Sequence, residues 1–251
     1  MSVPRDRPAV FRLLREESAS GSSRARRELK FAVPFADPGK VRSILAANCR
    51  RVTYDQPASL VTSIYFDDDA MRSYKESVEG SGLRSKVRLR WYDSGSPVFL
   101  EVKRRQFELV AKKRVALEPT VHPEELTFRE IRDGLCREIP AELREILFAH
   151  PHPTVMTQYR REYYELPGGA CRITVDSELK WFDQSGRLRP NRKFGVELPR
   201  TVIIEGKTPP GEEARLRAML YPLPLTVTRF SKYVVGCQQL GLVADTRGAL
   251  S

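Results

Sequence analysis

Three short stretches of the chain repeat one pairing. RELKF sets Glu28 and Lys30 two residues apart, FLEVKRR does the same with Glu101 and Lys103, and IIEGK with Glu205 and Lys207. Residues two apart share a face of an extended strand, so each stretch offers a carboxylate and an ammonium to one side. The alternate positions are apolar or small: Leu29 and Phe31, Leu100 and Val102, Ile204 and Gly206. RSKVRLRWYD carries the pattern without the acid, with Arg84, Lys86, Arg88 and Arg90 on one face and Val87, Leu89 and Trp91 on the other. Lys112 and Arg114 share a face, as do Tyr159 and Arg161, and Arg172, Asp176 and Glu178. Carboxylates set among cations suit metal-assisted phosphate chemistry, in which glutamate holds a hard divalent cation while arginine and lysine hold phosphoryl oxygens. A nucleic-acid surface gains nothing from glutamates and favours exposed aromatics for stacking, so nucleic acid is not an expected partner.

The elements that carry these faces belong to one domain. The 251 residues, 41% of them hydrophobic and 30% charged, suffice for one sizeable core, and the formal net charge of +11 favours polyanionic partners. The longest apolar runs, SILAA and YVVGC, are too short to span a bilayer, so no transmembrane segment and a cytoplasmic location are expected. Cys49, Cys136, Cys171 and Cys237 show no CxxC spacing and read as reduced thiols. The Arg-rich start has no apolar signal core and holds Asp6, Glu16 and Glu17. Residues 1–26 are therefore predicted as a basic flexible arm, 27–245 as the domain and 246–251 as a tail.

Strand patterns dominate from residue 27. Helices are predicted over DPGKVRSILAAN, with Asp37 as N-cap and Pro38 at the first helical position, over MRSYKESVEG, in two pieces over 123–148 broken before Pro140, over PGEEARLRAML, and over SKYVVGCQQLG. The class is α+β with an antiparallel sheet. Either the sheet is open with its charged face in water, or it closes into a barrel of about eight strands, charged faces inward and helices packed outside. Burying so many cations is tolerable only against anions, since each unpaired buried charge costs several kcal/mol. The three Glu-x-Lys pairs favour the closed antiparallel tunnel barrel.

ELKF, SIYFDD, KVRLRWYD, FLEVKRR, KKRVAL, QYRREYYE, RITVDSEL, VIIEGK and SKY follow one another, over roughly residues 27–240, in an order that resembles the polyphosphate polymerase (VTC-type) domain of the triphosphate tunnel metalloenzymes. The resemblance implies a tunnel barrel, with Mn2+ or Mg2+ as cofactor, that transfers the terminal phosphoryl group of a nucleoside triphosphate such as ATP onto a growing polyphosphate chain. It casts Lys30, Arg88, Arg90, Lys103, Lys112 and Arg161 as the phosphate-gripping catalytic residues and Glu205 as the metal ligand. Tyr159 matches a hydroxyl donor, and Ser231 with Lys232 match a pair opening the last helix, a placement suited to anions. Arg84, Lys86, Arg114 and Lys207 join the substrate-binding set through their shared faces. Arg26 stands where related hydrolases and cyclases would carry the first acid of Glu-x-Glu-x-Lys, which favours the polymerase branch. Arg104 and Arg105 stand where the family pattern has a histidine, and the basic residue expected near Ser77 is missing.

Two other functions use the same residues: a non-catalytic polyphosphate-binding module, and a triphosphatase with water as acceptor. Among the remaining candidates, Asp67, Asp68 and Asp69 read as an acidic turn capping the next helix rather than a metal cluster. His150 and His152 read as loop residues, His122 as a helix start, and Trp91 and Trp181 as core.

Overall fold

A computed structural model of the protein describes residues 9–19, 27–34, 36–93, 95–107, 109–169, 171–221, 223 and 227–243. The strands are β1 (Phe11–Ala19), β2 (Arg27–Val33), β3 (Arg50–Val52), β4 (Ser59–Asp67), β5 (Leu83–Tyr92), β6 (Val98–Gln106), β7 (Leu109–Pro119), β8 (His152–Glu165), β9 (Arg172–Asp183), β10 (Val196–Glu197) and β11 (Val202–Thr208). The helices are α1 (Pro38–Asn48), α2 (Arg72–Glu79), α3 (Phe128–Glu138), α4 (Ala141–Phe148), α5 (Glu213–Leu220) and α6 (Lys232–Gln239). Their starts are set locally. Asp37 accepts from the Gly39 N–H with Pro38 behind it, Thr127 and Glu130 form a reciprocal capping box, and Ser231 caps α6.

All ladders are antiparallel and belong to one sheet with the path β1-β7-β6-β5-β4-β8-β9-β11-β2, while β10 pairs with β9 and β3 with β8. Among the described residues no ladder joins β1 to β2, so the expected closed barrel of about eight strands becomes a longer sheet with two ends. That sheet is nevertheless curled. Lys103 on β6 lies within electrostatic reach of Glu28 and Lys30 on β2 and of Glu205 and Lys207 on β11. In a flat sheet β2 and β6, six ladders apart along the path, would stand about 29 Å apart at about 4.8 Å per strand. The free edge of β2 is also covered: Val227 bridges Phe31, and the Thr228 N–H donates to the Lys30 carbonyl at 2.9 Å.

Three apolar clusters cover the two faces. On the convex side Val87, Leu89, Trp91, Leu100, Val102, Val115 and Leu117 pack against α3 and α4, and Phe31, Val33, Ile173, Val175 and Ile204 against α1 and α5. The third cluster places Tyr74 of α2 and Tyr233 and Cys237 of α6 against Val61, Tyr65, Val155, Tyr159, Trp181 and Ile203. Tyr65, Tyr159 and Ile203 alternate in phase with Ser63, Arg161 and Glu205, so α2 and α6 sit on the concave face. Helices were expected only outside. The physical reason is that the inner face is not charged along the whole of every strand; on β8 it runs from Arg161 through Tyr159 to Val155, and that apolar end needs a cover.

The expected flexible arm also changes. Residues 1–8 and 20–26, like the tail 246–251, lie outside the described residues, but Phe11–Ala19 forms β1 and pairs along β7 from Phe11–Pro119 to Ala19–Lys112. Phe11 is 1% exposed, and a Cβ on Gly134 of α3 would stand 2.2 Å from Val10 and 2.9 Å from Phe11. β1 thus pairs the otherwise open edge of β7 and drives its apolar start into the space that a helix-interior glycine leaves.

Candidate active site in the curled sheet

Charged side chains of the concave face gather at three carboxylate nodes. The first is Glu101 of β6, only 3% exposed. Arg88 donates to its Oε2 through Nε at 2.7 Å and lies 2.6 Å away through Nη2, while Lys112 Nζ stands 2.8 Å from Oε1. Arg90 and Arg114 approach the same carboxylate at 3.7 and 3.6 Å. Arg88 also donates to the Tyr65 hydroxyl at 3.0 Å, and Arg90 to Ser63 Oγ at 3.0 Å and the Tyr159 hydroxyl at 3.2 Å. The Arg114 guanidinium lies 3.6 Å from the centre of the Phe99 ring. Burial opposes charge on Glu101, but Arg88, Arg90 and Lys112 outweigh it and hold the carboxyl well below the usual range.

The second node is Asp176 of β9, wholly buried. Arg161 grips it with both nitrogens, Nε at 2.6 Å and Nη2 at 2.8 Å, and Lys232 Nζ adds a contact at 2.5 Å. Lys232 also stands 4.5 Å from the centre of the Tyr159 ring. Burial again opposes the charged form, and Arg161 and Lys232 lower the carboxyl in spite of it. α6 is held here because Trp181 Nε1 donates to the Lys232 carbonyl at 2.8 Å and Gly236 gives Trp181 room.

The third node joins β11 and β2, where Glu205 lies opposite Lys30 and Lys207 opposite Glu28. Lys30 Nζ stands 2.8 Å from Glu28 and 3.5 Å from Glu205, and Lys207 stands 3.3 Å from Glu205. The Glu205 carboxyl is held below its usual range: burial opposes this, and Lys30, Lys207, Arg161 and Lys232 overcome it. Gly206 is required between the two charged residues, because a Cβ there would meet Leu216 of α5 at 2.3 Å.

A fourth part of the concave face carries cations alone. Lys86 donates to Ser231 Oγ at 2.9 Å and lies opposite Lys103 in the β5–β6 register. Arg84 donates to the Ser81 carbonyl at 2.8 Å and lies within electrostatic reach of Arg105 and Arg229. Lys30, Arg84, Lys86, Arg88, Arg90, Lys103, Lys112, Arg114, Tyr159, Arg161, Glu205, Lys207, Ser231 and Lys232 are thereby brought to one face, with Arg84 at its far end.

Sequence reasoning missed Tyr65 and Ser63, although both alternate in phase in SLVTSIYFD, and it assigned no role to Asp176, the counter-ion of Arg161. Asp67 behaves as the turn expected of it: its Oδ1 accepts from the Ser73 N–H at 2.9 Å, and its Oδ2 from Tyr74 N–H at 3.1 Å and Tyr233 hydroxyl at 2.5 Å. His122 caps a 3-10 turn, His152 pairs with Asp69, and both tryptophans are buried.

Among the described residues no group of three or more His, Cys, Asp and Glu side chains converges as a metal cage. Glu28 and Glu205 lie near enough for each to oppose the other's charge. Such a pair fits a hard divalent cation whose remaining positions are filled by phosphate oxygens and water. No helix among the described residues is long and apolar enough to cross a membrane.

Residues 25–241 match the profile described as the VTC domain. No curated protein matches the chain. Among solved structures, a candidate adenylyl cyclase of Hippeastrum, described as having a dominant triphosphatase activity, is 18% identical with a TM-score of 0.50 over 85% of this chain and 95% of that one. A candidate adenylate cyclase of Bacillus halodurans is 11% identical with a TM-score of 0.50 over 81% of this chain and 93% of that one. Both likenesses are of fold.

Proposed function

The chain belongs to the VTC domain family, and from that premise we propose that it transfers the terminal phosphoryl group of a nucleoside triphosphate to a polyphosphate chain held in the lumen of the curled sheet. The observation that carries the reading is the convergence of Lys30, Arg88, Arg90, Lys103, Lys112 and Arg161 on one concave face beside the Glu28–Glu205 pair.

Phosphoryl transfer needs little covalent help and much positioning and charge neutralisation. Arg90 is set for this, locked by Ser63 and Tyr159, so its guanidinium needs little reordering when an anion arrives. Arg88 and Lys112 trade Glu101 for phosphoryl oxygens, and Arg161 and Lys232 trade Asp176. Bidentate guanidinium contacts orient the phosphate, whereas the lysines act as point charges. Glu205, with Glu28 beside it, would hold a Mn2+ or Mg2+ ion, which would supply neutralisation of the charge developing on the transferring group.

The test is incubation of the pure protein with ATP and Mn2+. Long polyphosphate as product supports the proposal. Free phosphate alone would make the protein a triphosphatase, and neither product, with tripolyphosphate still bound, would make it a binding module.

A further inference from the structure

Most cations of the concave face are matched to a carboxylate, and Lys86 is not. Among the described residues its one direct polar partner is Ser231 Oγ, which also caps α6. The groups facing it are Arg84 and Arg88 on its own strand, Lys103 directly opposite on β6, Lys30 across the lumen on β2, Tyr65 on β4, and Cys237 with Lys232 on α6. Cations predominate, and no carboxylate ranks among the charges that act on it most.

We propose that Lys86 is a proton-coupled contact: a phosphate chain settling at the Lys86–Lys103 end of the lumen draws a proton from solvent onto Nζ, so that the grip weakens as pH rises. The inference rests on the phosphate-chain reading above and deepens it. Burial first, then the charges of Lys30, Lys103 and Arg84, bring Lys86 down to about 8, with Tyr65 opposing them. Lys86 is therefore partly neutral around pH 8 before a ligand arrives, where an ordinary lysine stays charged to about pH 10. A polyanion reverses the balance, since it offers negative charge to a site crowded with positive charge. Binding then selects the protonated fraction, and affinity falls in proportion to that fraction.

Lys103, itself lowered chiefly by burial, and Tyr65 are competing proton acceptors. Tyr65 too is brought to about 8, burial opposing and Arg88 and Arg90 overcoming it, and its phenol receives a hydrogen bond from Arg88. Lys86 is separated from both by substitution, because any uptake at Lys103 or Tyr65 survives in Lys86→Arg. Lys86→Arg keeps the charge at every accessible pH, and Tyr65→Phe removes the phenol.

The experiment is calorimetric titration of the full chain with sodium tripolyphosphate at pH 7 and pH 9, in buffers of differing ionisation enthalpy. The ligand's own titration is common to every variant and cancels on comparison. The wild type should take up protons on binding around pH 8 and lose about tenfold more affinity between pH 7 and 9 than Lys86→Arg. Lys86→Arg should bind with that uptake abolished, and Tyr65→Phe should retain most of it. Wild-type proton exchange on binding that equals that of Lys86→Arg would overturn the inference and leave the phosphate-chain reading intact. Uptake that survives in Lys86→Arg and disappears in Tyr65→Phe would overturn the assignment to Lys86. Failure of the wild type to bind tripolyphosphate at either pH would overturn the phosphate-chain reading and this inference with it.

Discussion

Arg88 of β5 and Glu101 of β6 are direct cross-strand partners whose side chains meet at 2.7 Å on the concave face. Glu101 is the shared counter-ion of three further cations, Arg90, Lys112 and Arg114. Replacing it with glutamine leaves those charges facing one another in a partly buried setting around a buried, uncharged side chain. Glu101→Gln should therefore lose about 3–5 kcal/mol of stability without ligand, the usual cost of breaking a buried pair. Tripolyphosphate should restore more of the urea midpoint in the variant than it adds to the wild type. Equal ligand-free midpoints for the two proteins would show that Glu101 is not the counter-ion of this cluster.

Arg88 and Arg90 respond differently to truncation, although they are equivalent in the sequence pattern. Arg88→Ala leaves Glu101 with its other cations, so the fold should stand while a charge-assisted contact worth about 1.5–3 kcal/mol is lost, about tenfold to a hundredfold in tripolyphosphate affinity. Arg90 is 5% exposed and satisfies Ser63 and Tyr159, so Arg90→Ala should cost both affinity and stability. Calorimetry with urea unfolding separates the two cases. An Arg88→Ala protein that unfolds readily yet binds normally when folded would make Arg88 structural.

Glu205→Gln keeps size and hydrogen bonding and removes the charge proposed to hold the metal. It also frees Lys30 and Lys207 from one anion. Mn2+-dependent turnover should collapse while polyphosphate affinity stays level or rises, because a metal acting on developing charge matters more to transfer than to ground-state grip. Unchanged turnover would remove Glu205 from the mechanism.

Acid should unfold the protein through the same carboxylates. Glu28, Glu101, Asp176 and Glu205 are all held below their ordinary ranges in the folded state. An acid with a depressed folded pKa contributes stability that is present above the unfolded value and lost as pH falls through the folded one. The urea midpoint should change little from these groups between pH 7 and 5, then drop steadily below about pH 4.5. In Glu101→Gln the drop should be shallower. A wild-type midpoint that holds down to pH 3 would contradict the four shifts.

The charged faces were legible because two-residue alternation survives intact in RSKVRLRWYD, FLEVKRR and IIEGK. The inward turn of those faces was expected from the cost of burying them unpaired and from the resemblance, but which strands face each other across the curl was not legible, because nothing in a strand's own alternation records its distant partner; Lys103 and Glu28 come within electrostatic reach only through the sheet's path. Phe11–Ala19 was lost among arginines and serines, and its strongest signal was remote, in Gly134 of a helix where alanine would be preferred by about 1 kcal/mol. The inner position of α6 was hidden for another reason. Tyr233, Gly236 and Cys237 form an ordinary amphipathic stripe, which states that a face is covered without stating which face of the sheet it covers.

The carboxylates inside the lumen make it behave as an ion exchanger already loaded with its own counter-ions. An arriving anion contributes only the difference between its attraction to the cations and that of Glu101, Asp176 or Glu205, each tethered at high effective concentration. A single phosphate displaces one such group at small net gain. On the proposed function, a linked chain of phosphates would displace several and lose its translational freedom once, so the resting protein should prefer long polyanions to short ones.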